Sequence, residues 1–231
     1  MGGSIGIDYS FLTKSTAYLK DTGANASVYP KVDLQIPMQV VSSVSRSNGM
    51  GSTNTVNYSY GGLKAEQGTG RGMLGFRWMK SVEAATGVEG YTEYRQDFPF
   101  TGMAAKNETR LAGAGNAGVL KRSTSTPNCQ IPQTASACAL APGNRYFLAV
   151  TGTVEESWDL NGSPFPTVTS QFTYGQNPQY GDPTQIWVSN GSGSSTTTTN
   201  EYWPPVITSP TSGGKWIMGR LKKASVTSVT P

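Results

Sequence analysis

The sequence of 231 residues predicts an all-β protein, an antiparallel meander of long β-hairpins. Apolar side chains recur at every second position, as in Ile5, Ile7, Tyr9 and Phe11, which is the period of a half-buried strand. Turn signals rich in Gly and Asn separate such runs along the chain. Nowhere do ten residues carry the apolar stripe of an amphipathic helix. We therefore expect less than about 10% helix.

The first hairpin has the strongest local signal. Residues 40–46 and 53–60 are rich in strand formers, and Asn48-Gly49-Met50-Gly51 lies between them. Asn-Gly between two such runs is typical of a tight hairpin turn. We therefore expect Val44 and Val56 to lie on adjacent antiparallel strands.

The same unit recurs to the end of the chain. The predicted strand pairs are 76–84 with 91–98, 103–111 with 119–126, 146–159 with 167–174, and 183–190 with 196–203. A last strand over 215–229 is expected to bend at Gly219. Faces with Val, Tyr and Trp alternate with faces of Ser, Thr, Asn and Gln, so the sheet has an apolar face and a neutral polar face.

Composition excludes several function classes. Only 14% of residues are charged and the net charge is +4, with the densest basic stretches at Lys121-Arg122 and at residues 220–223. These stretches are too small for a nucleic-acid footprint, so no nucleic-acid partner is expected. The sequence has no histidine, which removes Ser-His-Asp, Cys-His and imidazole–metal chemistry. Carboxylate pairs and lysine nucleophiles are not excluded in this way, so an enzyme is disfavoured rather than ruled out. We expect no enzyme and no catalytic residue.

The sequence predicts neither a membrane span nor a signal peptide. No run of eighteen apolar residues exists, so no span is predicted. Residues 1–4 lack the basic and apolar regions of a signal peptide and are typical of a cloning leader. We therefore expect the chain to be a piece of a longer polypeptide.

Cys129 and Cys138 are the two cysteines, and both lie in a polar, proline-bearing segment. A disulfide that closes this short loop is predicted, and it would suit an oxidising compartment. Two buried free thiols are the alternative. A metal site is not expected, because no histidine or further cysteine completes the ligand set.

Residues 70–75, GRGMLG, have the spacing of a nucleotide-binding glycine loop. Such a loop binds phosphate through the N terminus of a helix that follows it. Here Phe76, Trp78 and Val82 follow on one side of a two-residue alternation, which predicts a strand. Asp97, at the place of a ribose-binding carboxylate, lies inside a predicted strand. No nucleotide or other cofactor is therefore expected.

Other polar and aromatic groups of the sequence are candidate sites. Glu155 and Glu156 are adjacent on a strand and face opposite sides, so with Asp159 they predict solvated faces rather than an acid–base pair. Residues 177–183, NPQYGDP, lack the spacing of a calcium loop and predict a turn. One aromatic set is expected to form a packing face, with a sugar-stacking platform as the alternative: Trp78, Tyr91, Tyr94, Phe98 and Phe100.

Four segments carry a family resemblance. Residues 57–110 resemble the strand region of toxin-complex B subunits and of their SpvB-like and RHS-repeat relatives, and residues 48–62, NGMGSTNTVNYSYGG, match the approach to it. QFTYGQNPQYGDPTQIWV at 171–188 is similar to the YD/RHS repeat. TNEYWPP at 199–205 and WIMGRLKKASVT at 216–227 look like the strand pair that closes another repeat.

The resemblance implies a curled β-ribbon that forms part of a hollow shell around a toxic C-terminal domain. It implies a non-enzymatic structural segment of a secreted or cell-surface bacterial protein, whose partners are the rest of its own polypeptide and the enclosed toxin. In this frame Gly70, Gly72 and Gly75 mark bends of the ribbon. The family's autoproteolytic aspartates have no counterpart here. The alternative function is a surface adhesin or carbohydrate-binding β-module.

The resemblance divides the chain into four segments. These are a lead-in strand with a proline-containing connector (1–37), SpvB/RHS-like hairpins (38–128), the cysteine loop (129–145) and YD/RHS-like hairpins (146–231). A segment cut from a longer ribbon would leave its first and last strands unpaired. Self-association through these edge strands is therefore expected. The alternative is that residues 1–37 fold back and cover one edge, since Pro30 and Pro37 interrupt strand pairing there.

Overall fold

The computed structural model describes residues 3–130, 146–175, 181–204, 206–207 and 216–231. These residues form an all-β protein, as predicted. Helix in the described ranges is limited to two short 3-10 turns at Gly23–Asn25 and Gly115–Gly118. The strands are β1 Ile5–Phe11, β2 Tyr18–Leu19, β3 Lys31–Asp33, β4 Gln39–Ser47, β5 Thr53–Gly61, β6 Lys64–Glu66, β7 Gly72–Gly75, β8 Trp78–Glu83, β9 Val88–Tyr94, β10 Ala104–Leu111, β11 Val119–Gln130, β12 Phe147–Ser157, β13 Val168–Tyr174, β14 Pro183–Ser189, β15 Ser195–Tyr202, β16 Val206–Ile207, β17 Trp216–Ile217 and β18 Leu221–Val229.

Most strands belong to one sheet whose order nearly follows the chain: β1-β4-β5-β8-β9-β10-β11-β12-β13-β14-β15-β18. Neighbours in this order run antiparallel wherever their register is defined, as a meander of hairpins requires. The exception is β2, which pairs in parallel with β5 through Tyr18 and Tyr60. Two small sheets complete the fold, β3-β6-β7 and β16-β17.

The chain forms two compact units. The first contains residues 1–124 and 157–165, and the second contains residues 125–156 and 166–231. β11 begins in the first unit and ends in the second. The four sequence segments predicted above are a different division of the chain, and they stay a prediction.

The first predicted hairpin is confirmed. β4 and β5 pair antiparallel with Val44 opposite Val56, and Ser47 opposite Thr53 closes the ladder at the turn. Asn48 holds this turn, since its side-chain oxygen accepts hydrogen bonds from the backbone N–H groups of Met50 and Ser52. An Asn side chain that bonds ahead to its own backbone is a common turn device.

The core of the first unit lies where β2 and the segment after β5 meet the sheet. Leu12, Tyr18, Tyr60 and Leu63 are buried there. The hydroxyl of Tyr18 donates to the backbone oxygen of Leu34 at 2.7 Å and accepts from the backbone N–H of Leu63 at 3.0 Å. This pair of bonds satisfies a buried hydroxyl and connects three separate chain segments.

The second unit has little core of its own within the described residues. Among them, Cys129 is the one apolar side chain of that unit that is fully buried. β18 is exposed along its whole length. Its apolar residues Leu221, Val226 and Val229 are each more than half exposed.

The last predicted strand is divided. The structure has β17 and β18 in place of one strand over 215–229, and Gly219 lies between them with a φ of +67°. A positive φ reverses the strand direction locally and favours glycine. The predicted bend at Gly219 is therefore present.

Candidate functional site

One face of the first unit's sheet carries a row of charged side chains. Residues opposite each other in register share a face, and Lys80, Tyr91, Glu108 and Arg122 are joined by such pairs across β8, β9, β10 and β11. The positions two residues away bring Glu89, Glu93, Lys106 and Arg110 to the same face. We call these seven charged residues, with Tyr91 among them, the ion-pair ladder.

Glu108 is at the centre of the ion-pair ladder. Its side chain is only 1% exposed, and its carboxylate lies 2.7 Å from Nε of Arg122 and 3.4 Å from Nη1 of Arg110. Nζ of Lys106 lies 3.9 Å away. A carboxylate this deeply buried is tolerated only when cations and hydrogen bonds compensate its lost hydration.

Glu89, two residues before Tyr91 on β9, is a second buried carboxylate that contacts two cations. Nε of Arg110 donates to its Oε1 at 2.5 Å, and Nζ of Lys80 lies 3.3 Å from its Oε2. The Arg110 guanidinium also covers the ring of Tyr91, 4.6 Å from its centroid. Burial, followed by the nearby Glu93 carboxylate, raises the pKa of the Tyr91 hydroxyl. The ladder therefore holds its carboxylates as acceptors of fixed hydrogen bonds, which suits cross-strand stabilisation rather than proton transfer.

Sequence reasoning missed the ion-pair ladder, although a signal was present. Glu89-x-Tyr91-x-Glu93 overlaps the predicted strand 91–98, and Lys106-x-Glu108-x-Arg110 lies on the next predicted strand, 103–111. Opposite charges at matching positions of paired strands are an interaction unit of sheets. Which carboxylates would be buried depends on the neighbouring strands and could not be derived from the hairpin alone.

A second cluster of charges joins the small sheet β3-β6-β7 to the rest of the first unit. Asp21, 4% exposed, contacts both Arg77 at 2.6 Å and Lys64 at 3.2 Å. Lys64 also contacts Asp33 at 2.9 Å and donates to the backbone oxygen of Asn25 at 2.7 Å. Burial alone would raise the pKa of Asp21, but the hydrogen bonds and charges of Arg77 and Lys64 lower it overall.

The backbone beside this cluster requires a glycine. Gly62 has a φ of +62°, and a Cβ there would lie 2.5 Å from Oδ2 of Asp21. Any larger residue would push the Asp21 carboxylate away from its two cations. The pKa of Asp33 is also lowered, since the backbone and side chain of Ser27 and the ammonium of Lys64 outweigh its burial. Both carboxylates are therefore ionised structural acceptors.

The glycine run at 70–75 is followed by a strand, as predicted, and its own last four residues also form a strand. Gly72–Gly75 form β7, and the next element is the strand β8. Gly70, Gly72 and Gly75 all have positive φ angles. Arg71 contacts Glu66 at 2.8 Å and covers the ring of Phe98 at 4.2 Å. At this place the chain has no helix N terminus, which is the feature that phosphate binding by such a loop depends on.

The five aromatic residues weighed as a platform lie in different places. Trp78 and Tyr91 stack on the face of the ion-pair ladder with ring centroids 6.1 Å apart. Tyr94, an odd number of residues along β9 from Tyr91, belongs to the opposite face. Phe98 and Phe100 follow β9 and are covered by guanidinium groups, Phe100 by that of Arg95 at 4.9 Å. The set does not form one surface.

The remaining predicted groups are placed as follows. Glu155 and Glu156 are consecutive on β12 and so point to opposite faces. Asp159 lies in the turn after it and accepts from the backbone N–H of Leu160. Cys129 is buried near the end of β11, whereas Cys138 lies outside the described residues, so the disulfide stays a prediction. Most of the 177–183 segment also lies outside them.

The described residues contain neither a cluster of metal ligands nor a helix that could span a membrane. In the described ranges, no three His, Cys, Asp or Glu side chains come close enough together to hold a metal ion. Of the helices in that part of the chain, none has the length and apolar character needed to cross a membrane.

The two ends of the main sheet are the predicted edge strands. β1 is the first strand of the order and β18 the last. On β1, Ile5 is 62% and Tyr9 60% exposed, and on β18 Val226 is 65% exposed. Each strand pairs on one side with β4 or β15 within the described residues. Edge strands that expose apolar side chains are candidate surfaces for pairing with further strands.

Comparison with known proteins finds a family model that is similar to part of the chain. Residues 1–102 match the family model of the insecticide toxin TcdB middle/N-terminal region. The predicted resemblance to a toxin-complex B-type region is thereby confirmed over these residues. They contain β1 to β9, including the glycine run and the Asp21 cluster. A search of curated proteins gives no significant match.

Proposed function

We propose that the chain is a structural, non-enzymatic segment of a secreted toxin-complex polypeptide. Its β-ribbon forms part of the wall of a shell that encloses a toxic C-terminal domain. The observation that carries the proposal is the match of residues 1–102 to the insecticide toxin TcdB middle/N-terminal region, together with the antiparallel meander that continues beyond the matched residues.

The distribution of charge supports a structural role. Asp21, Glu89 and Glu108 are buried and Asp33 is partly buried, and each of these carboxylates is held by at least one Lys or Arg at 3.3 Å or less. A general base must instead present a lone pair towards a substrate at the working pH. These acids serve to fix strands to one another.

The low burial of the second unit supports a place within a larger assembly. More than half of the surface of Leu221 and Val226 on β18, and of Trp203 just after β15, is exposed. Isolated apolar side chains are common on surfaces, but here they lie on and beside a terminal strand. In the proposed shell, other parts of the same polypeptide pair with β18 and cover these side chains.

Hydrogen exchange tests the wall. We would compare the isolated chain with the longer polypeptide that contains it. In the longer polypeptide, neighbouring strands should pair with β1 and β18, so their backbone amides should exchange more slowly than in the isolated chain. β9, an interior strand, is the internal control and should exchange at a similar rate in both. Equal exchange of β1 and β18 in the two proteins would contradict the wall.

Limited proteolysis tests the enclosure separately. If the shell surrounds a C-terminal domain, that domain should resist protease in the intact polypeptide. It should become sensitive when the shell is opened by denaturant at a concentration that leaves the isolated domain folded. Cleavage of the domain at the same rate in closed and open shells would contradict the proposed enclosure. It would not contradict the proposal that the chain is part of the wall.

A further inference from the structure

The face of the first unit's sheet that lies opposite the ion-pair ladder carries a groove. Its volume is about 210 Å³. Two rows of residues that lie opposite one another in register line the groove. The first row crosses β5, β8 and β9, and the second crosses β8, β9 and β10. The rows are Tyr58, Ser81 and Gly90, and Met79, Thr92 and Asn107. Tyr94 lines the same groove.

Gly90 keeps the floor of the groove open. Its φ is not in the left-handed region, so the backbone does not require glycine there. A Cβ at this position would lie 3.0 Å from Oγ of Ser81. Glycine inside a strand lowers the stability of the sheet and often marks a place where another molecule approaches the backbone. Here its effect is to leave space between Tyr58 and the second row.

The rim of the groove presents hydrogen-bonding groups. Oγ1 of Thr92 donates to Oδ1 of Asn107 at 3.0 Å, so the Asn107 amide nitrogen keeps its hydrogens for other acceptors. Within the described residues, this nitrogen and Oγ of Ser81 make no hydrogen bond to another protein group. The opposite wall is apolar, because Tyr58 and Met79 belong to the border of the core.

The groove carries no charge of its own. Lys80 and Glu108 are among its lining residues, but their side chains form ion pairs of the ladder, whose register places them on the other face. A phosphate or carboxylate ligand would therefore find no cation here. The volume is below the range of about 300–1,000 Å³ typical of drug-sized ligands, so the occupant is small.

We propose that this groove binds one neutral pyranose ring of a carbohydrate. A pyranose has an apolar C–H face, which would lie against the rings of Tyr58 and Tyr94, and hydroxyl groups, which would bond to Asn107 and Ser81. Aromatic rings provide such an apolar surface at low cost in side-chain freedom. This binding goes beyond the proposed wall function, and either can hold without the other.

Saturation-transfer NMR on the full chain tests the proposal. The probes are glucose, galactose, mannose and N-acetylglucosamine, with glucuronate and glucose 6-phosphate as charged counterparts. At least one neutral sugar should receive saturation at its ring hydrogens and bind more tightly than the charged forms. Absence of transfer to all four neutral sugars, or tighter binding of a charged form, would overturn the proposal.

Matched variants locate the binding. Gly90→Val fills the floor, and its β-branched side chain suits a strand, so binding should fall by more than about tenfold. Asn107→Ala removes one hydrogen bond at an exposed position and should weaken binding by about three- to tenfold. Asn57→Ala is the control, because Asn57 is opposite Val82 on the face of the ion-pair ladder and its loss should leave binding unchanged.

Each of the two groove variants tests by itself whether the sugar binds in the groove. Thermal unfolding followed by circular dichroism shows whether Gly90→Val folds, and if it does not, Asn107→Ala alone gives the answer. Asn107 is an exposed side chain, so its replacement leaves the sheet intact. Unchanged sugar binding in Asn107→Ala would place the sugar elsewhere and overturn the assignment of the groove.

Discussion

Asp21 and Arg77 form a two-point ion pair, in which Nε of Arg77 donates to Oδ2 at 2.8 Å and Nη2 donates to Oδ1 at 2.6 Å. A bidentate pair of this kind fixes the orientation of both side chains. Lys64 contacts the same carboxylate and Asp33, so one buried group joins the segment after β2, the small sheet and the start of β8. Asp21 is therefore a central tertiary contact of the first unit.

Asp21→Asn should lower the free energy of unfolding by about 3 kcal/mol at pH 7, because two cations lose a buried partner. Urea unfolding measures this loss. The control is Asp97→Asn, which removes a similar pair with Arg95 at a site where both side chains are at least one third exposed. That change should cost less than about 1 kcal/mol. Equal losses in the two variants would contradict the central role of Asp21.

The same pair predicts an acid-dependent loss of stability. The pKa of Asp21 in the folded protein lies below its ordinary value of 3.8, so the unfolded chain takes up the proton first as the pH falls. The stability from this carboxylate is present above about pH 4 and is lost as the pH falls through the folded pKa. The difference between the parent protein and Asp21→Asn should therefore shrink between pH 5 and about pH 2. A constant difference over this range would contradict the assignment.

Glu108→Gln tests the ion-pair ladder. The substitution keeps the shape of the side chain but leaves Arg122 and Arg110 without their buried carboxylate. The free energy of unfolding should fall by about 3 kcal/mol. Glu93→Gln is the matched control on the same face, since Glu93 is 34% exposed and its carboxylate lies 3.2 Å from Nζ of Lys106. Its loss should be below about 1 kcal/mol in the same denaturant experiment.

Gly61→Ala tests the packing of β5 against β8. Gly61 is opposite Trp78, and a Cβ there would lie 2.1 Å from Cε2 of the indole ring. The ring must move, which should cost about 1–3 kcal/mol. Gly6→Ala on β1 is the control, because no atom lies within 4 Å of its Cβ position. Thermal unfolding should show a lower midpoint for Gly61→Ala and an unchanged or higher one for Gly6→Ala.

Local patterns predicted the hairpins because both determinants are local. The alternation around Val44 and Val56 and the Asn48-Gly49 turn lie within one short stretch, and the structure pairs them as expected. The strand that follows the glycine run was also predicted, since the residues after the run show strand periodicity. These features require no knowledge of the rest of the chain.

The charged sites could not be derived in the same way. Asp21 meets Arg77 across 56 residues of sequence, and β2 joins β5 in parallel, an arrangement that no turn signal indicates. The groove at Gly90 depends on the register of four strands at once. Alternation shows that side chains share a face, but not which neighbouring strand buries them.

Cys129 and Cys138 are predicted to form a disulfide in protein kept under oxidising conditions. Thiol titration of denatured, unreduced protein should therefore find no free thiol, and two free thiols would reject the bond. Cys129→Ser should cost no more than about 3 kcal/mol, because the closed loop is short. Cys138→Ser is the matched control and should have a similar cost if the two sulfurs act as one bond.

The isolated chain is predicted to self-associate through its terminal strands. Ile7 on β1 is 49% exposed and Val226 on β18 is 65% exposed, and both strands end the sheet order. Apolar, weakly charged edges recruit further strands, and a lysine on an edge opposes this pairing. Light scattering of the parent protein should therefore give a mass above the 24.5 kDa of one chain, rising with concentration.

Lysine substitutions identify the edge responsible. Ile7→Lys and Val226→Lys should each reduce association, and the double variant should approach the mass of one chain. Val28→Lys is the control, because Val28 is 81% exposed but lies outside every strand. It adds the same charge without affecting strand pairing at a sheet edge. Equal effects of all three variants would indicate a general charge effect. A parent protein that stays at 24.5 kDa at high concentration would contradict open edges, and would favour a self-contained binding module over a wall segment.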